Sequence, residues 1–229
     1  MFHHNVGAIT EALRLMTISH LFREPLLGPA TGVNWSDDVG VLKTLGMKGV
    51  ALAVWQRTLA DPLVTWLDRL RPDRLPELNV IVAIEEVEKV VCAAALSAGL
   101  PHDAETGRFA KDVAHLSRLL TVTTPGGMLR IRLKAVPEDA DPPFERPLGR
   151  AQLVCCYRGH GLQAGVPEGT EPPTRLTPLP RGDVLLVRGL LWPDRQPPGV
   201  VYRAAMPKKP GGTSFILTIE PVDDIAGHC

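Results

Sequence analysis

The chain lacks a charge excess, a cysteine framework and any long apolar run, and each absence removes a class of function. Its 25 basic side chains balance 25 acidic ones, so no overall field exists to hold a polyanion, whereas a dedicated nucleic-acid binder carries a basic surplus. No nucleic-acid partner is expected. The four cysteines, Cys92, Cys155, Cys156 and Cys229, include no CxxC pair. That excludes a disulfide scaffold or zinc ribbon and suits a reducing cytoplasm. No apolar stretch approaches the ~20 residues of a transmembrane helix. Glu11 and Arg14 interrupt the first apolar segment, which does not read as a signal peptide. The expectation is a cytoplasmic protein without a membrane partner. Also missing are GxGxxG after a strand, GxxxxGK followed by Ser or Thr, GxSxG and HExxH, which disfavours nucleotide-fold enzymes, common serine hydrolases and zincins.

What is present is an ordinary globular composition, 45% apolar and 22% charged in 229 residues, too hydrophobic for wholesale disorder. The two halves follow different periods. Ile9, Leu13, Met16 and Leu21 recur at helical intervals over 6–22. Ser36, followed by Asp37 and Asp38, reads as the cap of a short helix to about Leu45. Residues 49–54 and 78–83 read as buried strands. Asp61-Pro62 opens a helix with Leu63, Trp66, Leu67 and Leu70 on one face. Helices are predicted over 85–98 and 105–120, the second turning Phe109, Val113, Leu116 and Leu120 inward.

After Pro125-Gly126-Gly127 the period becomes two. Leu129, Ile131 and Leu133 alternate with Arg130, Arg132 and Lys134, and further strands are predicted over 151–157, 183–187, 199–204 and 213–219. Two or three weaker strands fit between Gly161 and Leu179. The resulting fold class is α+β: a mainly helical part over 1–124, with one or two strands, packed on an antiparallel barrel over 125–229, the two forming one compact unit.

The run FERPLGRAQLVCCYRGHG at 144–161 resembles the core motif of the uncharacterised bacterial DUF1826 family, together with AVWQR at 53–57, KDVAHLSRL at 111–119, LRIRLKAV at 129–136, RGDVLLVRGLLWP at 181–193 and VVYRAA at 200–205. The family motif, Phe-His-x-Asp and later His-Arg, is similar to the His-x-Asp…His triad of double-stranded β-helix oxygenases and cupins. The resemblance implies a cupin- or jelly-roll-like barrel and, for intact members, two imidazoles and a carboxylate on one face of Fe(II). At those positions this chain carries Glu145, Pro147 and Tyr202. Proline offers no donor, and a phenol titrating near ~10 is a poor Fe(II) ligand. The expectation is a degenerate site: no metal and no cofactor, with Fe(II) the family-based alternative.

Strand parity then sorts the remaining candidates. If Glu145 points inward, Ala151, Leu153, Cys155 and Tyr157 follow it and Gln152, Val154, Cys156 and Arg158 face out. The expected interior set is Glu145, Cys155, Tyr157 and Tyr202. Glu145, Tyr202 and Tyr157 form an acid/base set or, as the plainer reading, the satisfied polar groups of a barrel core. Cys155 and Cys156, on opposite faces, do not grip one metal with His160. Arg158 and Arg203 match family arginines and serve as anion contacts or structural ion pairs. Arg130, Arg132 and Lys134 form a row that holds a carboxylate or phosphate if it lines a cavity, and otherwise a solvated sheet face. Three functions stay open: a barrel without its triad that binds a small molecule or a partner protein, a metal-independent acid/base enzyme, and a metalloenzyme related to Fe(II)/2-oxoglutarate oxygenases with non-standard ligands. A homodimer is compatible with each.

Overall fold

The computed structural model describes residues 28–137, 141–194, 196–206 and 212–222. Its strands are β1 (Gly32–Ser36), β2 (Val50–Trp55), β3 (Leu78–Ala83), β4 (Met128–Pro137), β5 (Ala151–Arg158), β6 (Leu162–Gly165), β7 (Thr177–Leu179), β8 (Val184–Arg188), β9 (Val201–Ala204) and β10 (Thr213–Val222). The helices are α1 (Asp61–Arg69), α2 (Val87–Ser97) and α3 (Ala104–Thr123), with a 3₁₀ helix at Val39–Gly46. The helix expected over 6–22 lies outside the described residues.

Two sheets and a helical layer result. The large sheet runs β1-β2-β8-β5-β10-β4-β3 and the small one β7-β6-β9. Phe109, Val113, Leu116 and Leu120 of α3 are buried with Leu129, Ile131 and Leu133 of β4 and Leu153, Leu217 and Ile219 of its neighbours. Leu52, Val54, Val154, Cys156, Leu185 and Val187 form a second core with Leu162, Leu179 and Tyr202 from the small sheet. The large sheet therefore has a different core on each face. Truncating Phe109 to alanine would cost roughly 3–5 kcal/mol through lost transfer energy and the cavity left behind.

Local chemistry accounts for most element ends. Asp103 accepts the amides of Glu105 and Thr106 and starts α3. The 3₁₀ helix begins two residues later than the sequence suggests, because Asp38 accepts the Gly40 amide while Ser36 Oγ accepts the Asp38 amide. Residues 84–86 form a separate 3₁₀ turn, so α2 starts at Val87.

The large sheet is mixed. β1, unpredicted, pairs parallel with β2, and the other ladders are antiparallel. Strands from before residue 124 sit at both edges of this sheet, β1 and β2 on one side and β3 on the other. The change of period near Pro125 thus divides the sequence but not the sheet.

The parity assigned to β5 is reversed. Ala151, Leu153, Cys155 and Tyr157 face the helices, while Val154 and Cys156 face the small sheet. All residues of β5 except Arg158 are buried, so apolar bias does not distinguish its faces. A strand covered on both sides reads as a continuous apolar run.

Candidate functional site in the barrel

The site forms where the segment before β5 extends the small sheet. The Glu145 amide donates to Tyr202 O at 2.7 Å and the Tyr202 amide to Glu145 O at 3.1 Å. Directly opposed residues of such an antiparallel pair put their side chains on the same face. The Tyr202 hydroxyl accordingly lies 3.0 Å from Glu145 Oε2, and it also donates to Gln152 Oε1. Gln152 Nε2 donates to Glu220 Oε1, and Arg132 Nη2 donates to the same oxygen. A run of polar contacts thus joins Glu145 to Arg132 through Tyr202, Gln152 and Glu220, with the single Tyr202 proton shared between Glu145 and Gln152.

This run borders a cavity of about 260 Å³ whose lining includes Arg132, Lys134, Glu145, Leu162, Tyr202 and Thr218. Arg132 and Lys134 reach it because β4 turns Leu129, Ile131 and Leu133 toward the helices and the alternate residues toward the small sheet. Arg132 is neutralised by Glu220, whereas Lys134 is exposed and has no ion pair among the described residues. Burial, followed by the Glu145 carboxylate, holds the Tyr202 phenol well above its ordinary pKa. At ordinary pH it is a neutral hydrogen-bond donor.

Of the expected interior set, Glu145 and Tyr202 come together. Cys155 and Tyr157 do not join them, because they lie on the other face of β5. There Tyr157 OH donates to Asp112 Oδ2 at 2.5 Å, and Arg57 clamps Asp112 through two bonds of 2.7 and 2.8 Å. Arg57 Nη2 also lies 3.6 Å from Cys155 Sγ, and its Nε donates to Gly182 O. Burial pushes the Cys155 thiol up to about 11 and, with the Asp112 carboxylate, raises the Tyr157 phenol. The chain's two tyrosines therefore each meet a carboxylate, on opposite faces of the large sheet.

The two arginines matching the family motif hold structure. Arg158 Nη1 donates to the carbonyls of Leu67 and Leu70 at the end of α1. Arg203 pairs with Asp141 at 2.7 Å and stacks over Phe144. Cys155 and Cys156 occupy different cores. Pro147 contributes its carbonyl, which accepts the Leu190 amide.

Glu220, Gln152 and the Arg57–Asp112 pair escaped the sequence reading. A signal for Glu220 existed: Ile216, Thr218 and Glu220 alternate with the buried Phe215, Leu217 and Ile219. A polar residue late in that alternate set marks the less apolar face. Nothing local marks Arg57 or Asp112, whose contact spans 55 positions.

A family model described as "Protein of unknown function (DUF1826)" matches residues 36–220. The chain belongs to this family. No curated protein matches it. Among solved structures, it is similar to dioxygenase for auxin oxidation 1 from Arabidopsis thaliana in its 2-oxoglutarate complex, at 12% identity and a TM-score of 0.43, over 100% of this chain and 84% of that one. A prolyl-4-hydroxylase of Pseudomonas putida matches at 11% identity and a TM-score of 0.42, over 79% of this chain and 91% of the other. HppE with Fe(II) bound matches at 16% identity and a TM-score of 0.29, over 40% of this chain and 41% of that one.

These neighbours correct the expectation of no cofactor: 2-oxoglutarate is bound in the first and Fe(II) in the third. The three residues that the resemblance sets at the triad positions, Glu145, Pro147 and Tyr202, do not by themselves make an iron site. They supply one carboxylate, a proline and a phenol kept protonated by burial. Among the described residues no three His, Cys, Asp or Glu side chains come together around a possible metal position. The described helices also include none long and apolar enough to cross a membrane.

Proposed function

We propose that this DUF1826 protein binds a small carboxylate-bearing molecule in the cavity beside Tyr202, and that its triad positions have been rebuilt as a hydrogen-bond chain. The observation that carries the reading is the contact between Glu145 and Tyr202. These two side chains, on directly opposed residues, meet at the wall of the cavity. Lys134 and Arg132 offer cationic donors at the cavity, and Tyr202 and Thr218 add hydroxyls. Lys134, which has no ion pair among the described residues, is the cation there to which a compact carboxylate would pair, on a wall that also carries Glu145. The 2-oxoglutarate of the Arabidopsis neighbour is the first compound to test.

The acid/base reading loses one of its three groups, since Tyr157 is sequestered with Asp112. What remains for proton transfer is the Glu145–Tyr202 pair. Equilibrium dialysis with 2-oxoglutarate and succinate, with and without iron, tests the proposal. Binding that falls about tenfold in Lys134→Ala, as the loss of one charge-assisted contact implies, supports it. Binding indifferent to Lys134 and Arg132 overturns it. One equivalent of iron retained through dialysis would instead favour a metalloenzyme with ligands outside the aligned positions.

A further inference from the structure

A second and larger cavity lies away from Tyr202, between the β1–β2 edge of the large sheet and the small sheet. Its volume is about 580 Å³, within the ~300–1,000 Å³ range of small-molecule sites. The floor is apolar and buried, formed by Leu52, Ala164 and Val200. Trp35, 40% exposed, lines one wall and Val166, 42% exposed, lines another. A partly exposed indole inside a concave apolar wall is an aromatic platform that the described side chains leave partly uncovered.

The polar groups at this cavity are unevenly matched. Glu168 accepts the Thr174 hydroxyl, so its carboxylate already has a donor. Arg175 has no ion pair or side-chain hydrogen bond among the described residues, and the Trp35 indole N–H has no acceptor there. The donors without a partner are Arg175 and Trp35, while the Glu168 carboxylate, accepting a neutral hydroxyl, keeps its negative charge on the same lining. The loop carrying Arg175 is held close to β6: a Cβ on Gly165 would meet Arg175 O at 2.7 Å and Pro173 Cβ at 2.6 Å. The absence of a side chain at 165 lets this backbone approach, which holds the main chain of Arg175 beside β6.

We infer that this cavity is a binding site for an aromatic carboxylic acid, its ring against Trp35 and the apolar floor and its carboxylate on Arg175. The site shares no lining residue with the cavity beside Tyr202 and stands independently of the function proposed for that cavity.

The test uses the full chain with 2-naphthoate and its neutral analogue 2-naphthamide, followed by calorimetry. The acid binds about tenfold more tightly than the amide, the size of one charge-assisted contact. Arg175→Gln removes that preference, and Trp35→Leu weakens both compounds. Arg132→Gln, in the other cavity, leaves both affinities unchanged. Equal affinity for acid and amide, absence of binding, or an acid preference that survives Arg175→Gln overturns the inference. A loss caused by Arg132→Gln overturns it too, because the acid would then occupy the cavity beside Tyr202. Urea melts of Arg175→Gln and Trp35→Leu, both at exposed positions, separate lost binding from lost folding.

Discussion

Arg57 and Asp112 meet fork to fork across the boundary between sheet and helices, Nη1 on Oδ1 at 2.7 Å and Nη2 on Oδ2 at 2.8 Å. Arg57 follows the end of β2 and Asp112 lies in the middle of α3, so the pair ties the helical layer to the large sheet. Gly182 O, Tyr157 OH and Cys155 Sγ complete the surroundings. Four of the segments that carry the family resemblance, AVWQR, KDVAHLSRL, CCYRG and RGDV, converge at this one place.

Breaking the pair from one side strands a mostly buried charge. With Arg57 only 11% exposed and Asp112 21%, Asp112→Leu is expected to cost about 3 kcal/mol, because the guanidinium keeps its desolvation penalty without its partner. The double variant Arg57→Met with Asp112→Leu recovers much of that loss. Urea unfolding of both variants checks the order.

Asp183 supplies a pH signature. It is buried, one of its oxygens lacks a partner, and burial raises its pKa from the ordinary 3.8. The folded state therefore holds this proton more tightly than the unfolded chain. The stabilisation from that proton is complete below the unfolded value and is lost as pH rises through the folded one. The stability of Asp183→Asn relative to the parent should thus increase with pH across that window and level off on either side. Chemical denaturation from pH 3 to 8, at roughly one-unit steps, reads it directly.

Cys155 should be inert in the native protein. Its thiol is fully buried and pushed up to about 11, so the thiolate that alkylating reagents attack is scarce at pH 8. Iodoacetamide labelling, mapped by peptide mass, should spare Cys155 natively and modify it in urea. Rapid native labelling there would contradict the burial described.

Tyr202→Phe tests the barrel chain. It removes the hydroxyl between Glu145 and Gln152 and leaves the buried Gln152 Oε1 without its donor, at an expected cost of about 1–3 kcal/mol. Glu145→Gln, which keeps an acceptor at an exposed position, should cost less than ~1 kcal/mol. Thermal melts of the two variants give the comparison.

Legibility in the sequence followed the range of the forces involved. Helix α3 and strand β3 were readable within two or three residues, because caps and apolar periods are local. Strand β1 was not, since GVNWS has little apolar period and owes its place to pairing with β2. The site was half readable. Glu145 and Tyr202 were found through the resemblance, and the family motifs located the Arg57–Asp112 region without revealing the contact. Strand parity misplaces Tyr157, because a strand buried on both faces gives no contrast to read. Arg132 and Lys134 reached a cavity only through the placement of β4 opposite the small sheet, which no single segment encodes.

Strand β5 separates two chambers with unlike tasks, and its residues answer to them in turn. Substitutions made one position at a time along it should fall into two interleaved sets. Those at 151, 153, 155 and 157 would register as loosened attachment of the helices. Those at 152, 154 and 156 would register first in the packing between the two sheets, so neighbouring positions on one strand would report on different parts of the fold.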